Sequence, residues 1–170
     1  NVCAIGAYEK QRAETLNYIA QNGIEITIWG NGWDEMKNPH SFLKIKNEFL
    51  YGDNYSKAIS GCKINLNFLR KINRDRITSR SIEIPACGGF MISERTNLQM
   101  EIFKEGEHAE FFSDNAELLK KIKFYLNNEQ KRKRIADNGY KKCVSSKLSM
   151  KFQLNSIIEK MILKNPEQWI

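Results

Sequence analysis

The sequence predicts an α/β fold, a Rossmann-like parallel sheet with helices on both faces, and three observations carry that expectation. Short apolar runs alternate along the chain with longer segments of helical period. Glycines stand where the first two runs end, at Gly6, Gly30 and Gly32, where a backbone turns sharply out of a strand. A basic stretch from Arg70 to Arg80 leaves a strand-like run and enters a Thr-Ser-Arg helix start, the place outside strand carboxyl ends where open α/β sheets collect ligands.

The elements follow in order. Val2 to Gly6 reads as a strand, followed by a helix from Tyr8 to Gln21 that Asn22-Gly23 stops. Ile24 to Trp29 is a second strand, closed by Gly30-Asn31-Gly32. The stretch through Pro39 is irregular and leads to Tyr51-Gly52 and a short helix near Tyr55 to Ser60. Lys63 to Leu69 alternates Ile64, Leu66 and Phe68 with polar partners, the period of a strand. A helix from about Thr78 ends at Gly88-Gly89, before a strand at Phe90 to Ile92. Next come a helix around Leu98 to Phe103 and a short strand near Ala109 to Phe112. Helices over Asn115 to Asn127, Glu129 to Cys143 and Ser149 to Leu163 complete the chain, which has no internal repeat.

With 170 residues, 41% hydrophobic and 28% charged, the chain is long enough for one compact domain with its own core. No apolar run approaches the ~20 residues of a membrane span, and the start NVCAIGAYEK lacks a basic n-region. Neither a span nor a signal peptide is expected, and a chain that opens in a strand without Met reads as a piece of a longer protein. Cys3, Cys62, Cys87 and Cys143 are scattered without metal-ligand spacing, and the first three adjoin apolar runs, so buried free thiols and a cytoplasmic setting are expected. His40 and His108 have no partners at ligand spacing. Neither a metal nor another cofactor is expected, and no Ser-His-Asp or Cys-His arrangement is legible. The glycines form no Gly-x-Gly-x-x-Gly fingerprint and no Walker pattern, so hydride transfer and ATP hydrolysis have no support.

Charge is unevenly placed. Residues 1–114 carry 14 basic and 15 acidic side chains, whereas residues 115–170 carry 13 and 5. The excess includes KRKR at Lys131 to Arg134, on a helical pattern whose apolar positions recur at three and four. A solvated helix face explains it; an anionic membrane surface at the inner face of a membrane, or an acidic partner, is the functional alternative. Nucleic acid is not the expected partner, because Phe124, Tyr125, Tyr140 and Phe152 mostly fall on apolar helix faces instead of forming a stacking platform.

The segment from Arg70 to Arg80 holds five cations, Arg70, Lys71, Arg74, Arg76 and Arg80, against Asp75. A helix that begins beside them aims free N–H groups and a positive dipole end at the same point, so phosphate is the expected guest. The glycine turns at Gly6, Gly30 and Gly32 face that edge and let a backbone approach a ligand closely. Together they describe a crevice for a nucleoside diphosphate.

The run from Glu83 to Lys142, opening EIPACGGFMISERTN, closely resembles the C-terminal half of GT-B glycosyltransferases of the spore-maturation CgeB-like, group 1 type. The resemblance is specific from Arg76 to Lys142 and extends more loosely back through LYGDNYSKAISGCKINLNFLR and ITIWGNGW to the first strand. It implies one domain over 1–170 that binds a nucleotide-sugar donor and belongs to a longer two-domain enzyme, a hexosyltransferase-like protein of glycan biosynthesis that retains anomeric configuration. Glu83 is similar to the Glu that hydrogen-bonds the nucleotide ribose, although a plain first-turn helix acid is the other reading. Asp75, eight positions earlier, falls where related retaining enzymes carry a Glu near the donor sugar. Arg12, with Lys10 as a second candidate, would clamp the diphosphate together with the backbone of Thr78, Ser79 and Arg80; loops near Tyr51 and Gly52 would meet the base. The acceptor would come to an N-terminal domain, toward which Asn165 to Ile170, with Pro166 and Trp169, would reach. A nucleotide-binding or scaffolding module without catalysis remains the alternative.

Overall fold

The computed structural model describes residues 1–146 and 148–164. Its strands are β1 (Val2–Ile5), β2 (Ile26–Trp29), β3 (Leu43–Ile45), β4 (Ile64–Asn67), β5 (Met91–Glu94) and β6 (Glu110–Phe112). Its helices are α1 (Lys10–Gln21), α2 (Gly52–Gly61), α3 (Ser79–Ala86), α4 (Asn97–Ile102), α5 (Asn115–Asn127), α6 (Glu129–Ser145) and α7 (Met150–Lys164), with a 3-10 turn at Trp33–Glu35. All strand pairs are parallel, in the order β3-β2-β1-β4-β5-β6. The expected Rossmann-like α/β sheet is therefore the observed one. The order reverses between β1 and β4, which opens a crevice at their carboxyl ends.

Helices cover both faces. On one, Leu16, Ile19 and Ala20 of α1 and Leu118 and Ile122 of α5 bury against Val2, Ala4, Ile26, Ile28, Ile64 and Leu66. On the other, Ile59 of α2 and Ile84 of α3 join Met91, Phe103 and Phe111. Burying one such aliphatic side chain contributes about 1.5–3 kcal/mol, so both faces are held by the same hydrophobic term.

Three local results differ from expectation. The strand β3 lies within the stretch read as irregular; it is three residues long and only Leu43 is buried, too short to show a period. The helix α2 starts at Gly52, whose φ of 51° follows the extended Tyr51, three residues before the expected start. In β4 the polar positions are as buried as the apolar ones. Asn65 donates to the carbonyls of Ile59 and Phe90, while Asn67 donates to Ser81 and Ser93 at 3.0 Å each. A central parallel strand has no solvent face, so its polar half must be paired inside. These bonds pin α2 and α3 to the sheet. The expectations for Asn165 to Ile170 fall outside the described residues.

Candidate functional site: a cationic cleft at the strand-order reversal

The crevice above β1 and β4 is a cleft of about 650 Å³. Its floor is glycine by necessity. A Cβ on Gly30, at φ +144°, would lie 2.1 Å from the Gly6 carbonyl oxygen, and a Cβ on Gly6 would lie 2.9 Å from Arg12 Nη1. Gly32 plays a different part, because it stands outside the cleft lining and opens the 3-10 turn at φ 75°. That turn buries Trp33, whose Nε1 donates to Gly6 O at 2.9 Å and fixes the floor from below.

Two arginines converge over Gly6. Arg12, on the first turn of α1, is 6% exposed. Its Nη1 donates to the Ala7 carbonyl, its Nη2 pairs with Glu9 Oε2 at 3.4 Å, and its guanidinium lies 5.8 Å from the centroid of Phe68. Arg80, on the first turn of α3, brings its Cζ within 3.8 Å of the point that a Cβ on Gly6 would occupy. Among the described residues, Arg12 Nε and Arg80 Nε are the buried side-chain polar atoms without a hydrogen-bond partner. A buried donor left unpaired costs about 1–3 kcal/mol. Burial first, then the charge of Arg80, pulls Arg12 down to about 10, which keeps it cationic at neutral pH. An anion between the two would relieve both the desolvation and the repulsion.

The remaining candidates divide by position. Glu83 does not line the cleft; Tyr55 does, and its hydroxyl donates to Glu83 Oε2 at 2.6 Å. Burial, then that bond, pushes the Tyr55 phenol above its usual value. Lys10 is exposed and borders a separate depression with Glu14 and Lys37. Its offset of two residues from Arg12 places it on the opposite side of α1. Thr78 caps α3, its backbone N–H donating to Ser81 Oγ at 3.2 Å, and Ser79 is exposed; neither lines the cleft. Asp75 lies outside the lining and donates its backbone N–H to Arg70 O at 3.2 Å. Tyr51 and Gly52 begin α2, and the cleft wall is formed instead by Glu48, Phe49 and Leu50 just before them. Sequence reasoning did not assign Tyr55, Glu48, Phe49 and Leu50 to the site. The aromatic cluster at Phe49, Tyr51 and Tyr55 was the only signal that could have marked this wall.

Elsewhere, the four cysteines are free, with Cys3 buried and the others half-buried. The described residues contain no group of three His, Cys, Asp or Glu placed to hold a metal ion, and no helix long and apolar enough to cross a membrane. In the KRKR run, Arg132 is not on a solvated face: it is 6% exposed and donates to the Tyr125 carbonyl.

The fold and the crevice define a Rossmann-like domain with a cationic cleft at its strand-order reversal. The family described as glycosyl transferase-like matches residues 11–152, and this chain belongs to it. Solved structures share the fold. The C-terminal domain of a glycosyl transferase group 1 family protein from Francisella tularensis superposes with a TM-score of 0.62 at 13% identity, covering 85% of each chain. Sucrose-phosphate synthase from Thermosynechococcus elongatus gives 0.68 at 13% identity, over 95% of this chain and 46% of that one. The Anabaena HepE protein in complex with UDP and glucose gives 0.68 at 14% identity, over 94% and 47%. The chain thus spans about half the length of the latter two proteins. No curated protein matches it by sequence.

Proposed function

We propose that this chain is the donor-binding half of a GT-B glycosyltransferase and takes a nucleoside diphosphate sugar in the cleft above β1 and β4. The observation that carries this reading is the pair of buried, unpartnered Nε–H groups of Arg12 and Arg80 over the Gly6 turn. A diphosphate supplies acceptor oxygens for both, and charge-assisted bonds to phosphate are the strong kind. The arginines provide the positive charge that a metal would otherwise bring, so no metal is required. The nucleoside lies along the wall from Glu48 to Tyr55, with Glu83 on the ribose side, and the sugar points out of the cleft toward an acceptor held by an N-terminal domain of the same protein. Membership of the glycosyl transferase-like family and the UDP-bound HepE structure of the same fold support the assignment. Transfer with retention follows from the resemblance alone.

A thermal-shift panel of UDP, GDP, TDP, ADP and CMP tests it. At a hundredfold excess over its dissociation constant, the preferred nucleotide should stabilise the fold by about 2.7 kcal/mol. A flat response to every nucleotide would overturn the reading.

A further inference from the structure

The geometry points to Cys3 and Cys62 as a paired thiol site, away from the cationic cleft, that hydrogen peroxide oxidises to a disulfide. Cys3 lies on β1 beside its register partner Asn65 of β4, and its Sγ donates to Asn65 Oδ1 at 3.1 Å. Asn65 Nδ2 in turn donates to the Ile59 carbonyl at 3.1 Å, and the Cys62 N–H donates to that same carbonyl at 3.3 Å where α2 ends. One side-chain amide thus ties the Cys3 thiol to the helix end that carries Cys62. Just beyond, the Lys63 N–H donates to Asn1 O at 2.9 Å, so the two backbones meet where β1 and β4 begin.

The two thiols play unequal parts. Cys3 is fully buried, whereas Cys62 is half-buried and lines an open depression of about 320 Å³ beside the amino ends of β4 and β5, with Lys63, Gly88, Phe90, Glu129 and Lys133. A small oxidant reaches Cys62 first. The hydrogen bond between the thiols, then burial, pushes Cys3 up, and the same bond holds Cys62 below its ordinary value. The proton therefore stays on the buried sulfur and thiolate character falls on the accessible one, as a nucleophile requires.

The chemistry closes in two steps. The Cys62 thiolate attacks one oxygen of hydrogen peroxide, the O–O bond breaks, and the sulfur becomes a sulfenic acid while hydroxide leaves and recovers the proton that Cys62 had released. The Cys3 sulfur then attacks the Cys62 sulfur, the S–O bond breaks, and the departing hydroxide takes the Cys3 proton. Two thiols have lost two electrons, and peroxide has become two waters. The product fastens β1 to the end of α2. Asn65 gives up its Cys3 donor but keeps its bonds to Ile59 and Phe90, so the sheet survives the change.

The test adds stoichiometric hydrogen peroxide to the folded chain, alkylates the remaining thiols and maps the peptides by mass spectrometry. Free thiols counted after denaturation should fall from four to two, with the Cys3 and Cys62 peptides joined within one molecule, and dithiothreitol should restore all four. Cys3→Ser should leave Cys62 as a sulfenic acid that dimedone traps, and Cys62→Ser should leave Cys3 unmodified. Absence of the joined peptide would overturn the proposal. So would joined pairs that include Cys87 or Cys143 as often, or a bond formed only between two copies of the chain. If a serine variant folds poorly, brief alkylation of the parent decides: Cys62 should be labelled before Cys87 and Cys143, whose thiols burial pushes up, and equal labelling would overturn the assignment of Cys62 as the reactive thiol.

Discussion

Two charged regions flank β5 of the same sheet, and they treat their cations in opposite ways. At the outer edge, around β6 and α5, the clustered charges of Arg95, Glu105, Glu110, Glu117 and Lys121 answer one another within the protein. Arg95 bonds Glu105 and, at 2.7 Å, Glu117; Lys121 bonds Glu110 at 2.6 Å and the Phe111 carbonyl at 2.7 Å; Glu110 also accepts from Tyr125 at 2.6 Å. At the strand-order reversal, Arg12 pairs with Glu9 at 3.4 Å, but its Nε–H and that of the neighbouring Arg80 have no hydrogen-bond partner among the described residues. A closed network serves the fold, because each of its members would be costly to leave alone. Donors kept dry and unpaired beside a like charge are the observation on which the proposed diphosphate site rests. Charge density alone would have ranked these regions together; partner accounting separates them.

The largest effect expected from that contrast belongs to the closed network. Lys121→Met keeps the apolar stem but removes the cation shared by Glu105 and Glu110, so urea denaturation should show a loss of about 3 kcal/mol. Nucleotide affinity of the folded variant should be unchanged. A variant as stable as the parent would break the structural reading of this edge.

Next in size is the open pair. Arg80→Ala removes a charge-assisted contact worth about 1.5–3 kcal/mol, so diphosphate affinity measured by calorimetry should fall roughly ten- to a hundred-fold. Stability should hold or rise, because the charge of Arg80 opposes that of Arg12. A stability loss as large as that of Lys121→Met would erase the distinction between the regions.

The smallest effect is a pH dependence confined to the closed edge. The hydrogen bond from Arg95, with Lys121 in support, holds the Glu105 carboxyl down to about 2 from an ordinary 4.5. A depressed folded value stabilises above the unfolded value, and the contribution is lost as pH falls from about 4.5 toward 2. Glu105→Gln should therefore flatten the acid limb of the stability profile, measured by urea denaturation between those values, and leave diphosphate binding at neutral pH untouched.

The sheet was legible in the sequence because buried parallel strands and amphipathic helices impose periods of two and 3.6 that survive without any tertiary information. The element that escaped, β3, has three residues, shorter than the pattern that would reveal it. In the site, glycines at strand ends and arginines near helix starts are local features, so Gly6, Gly30, Arg12 and Arg80 could be read directly. Helical phase, also local, separates Arg12 from Lys10. The Tyr55–Glu83 bond joins residues 28 apart on two helices, and no local pattern reports such a meeting. The placement of Thr78, Ser79 and Asp75 outside the cleft lining is equally a product of the fold: Thr78 and Asp75 spend their backbone N–H groups on Ser81 and Arg70 within the loop and helix start.

The contrast between satisfied and unsatisfied donors reduces to one titration, inorganic pyrophosphate into the parent protein and into an Arg12→Ala/Arg80→Ala variant, with the unfolding midpoint of each recorded alongside. The parent should bind pyrophosphate and the double variant should show no measurable heat while unfolding as a cooperative folded protein. Equal binding by the two folded proteins would contradict the assignment of this cleft as the diphosphate site.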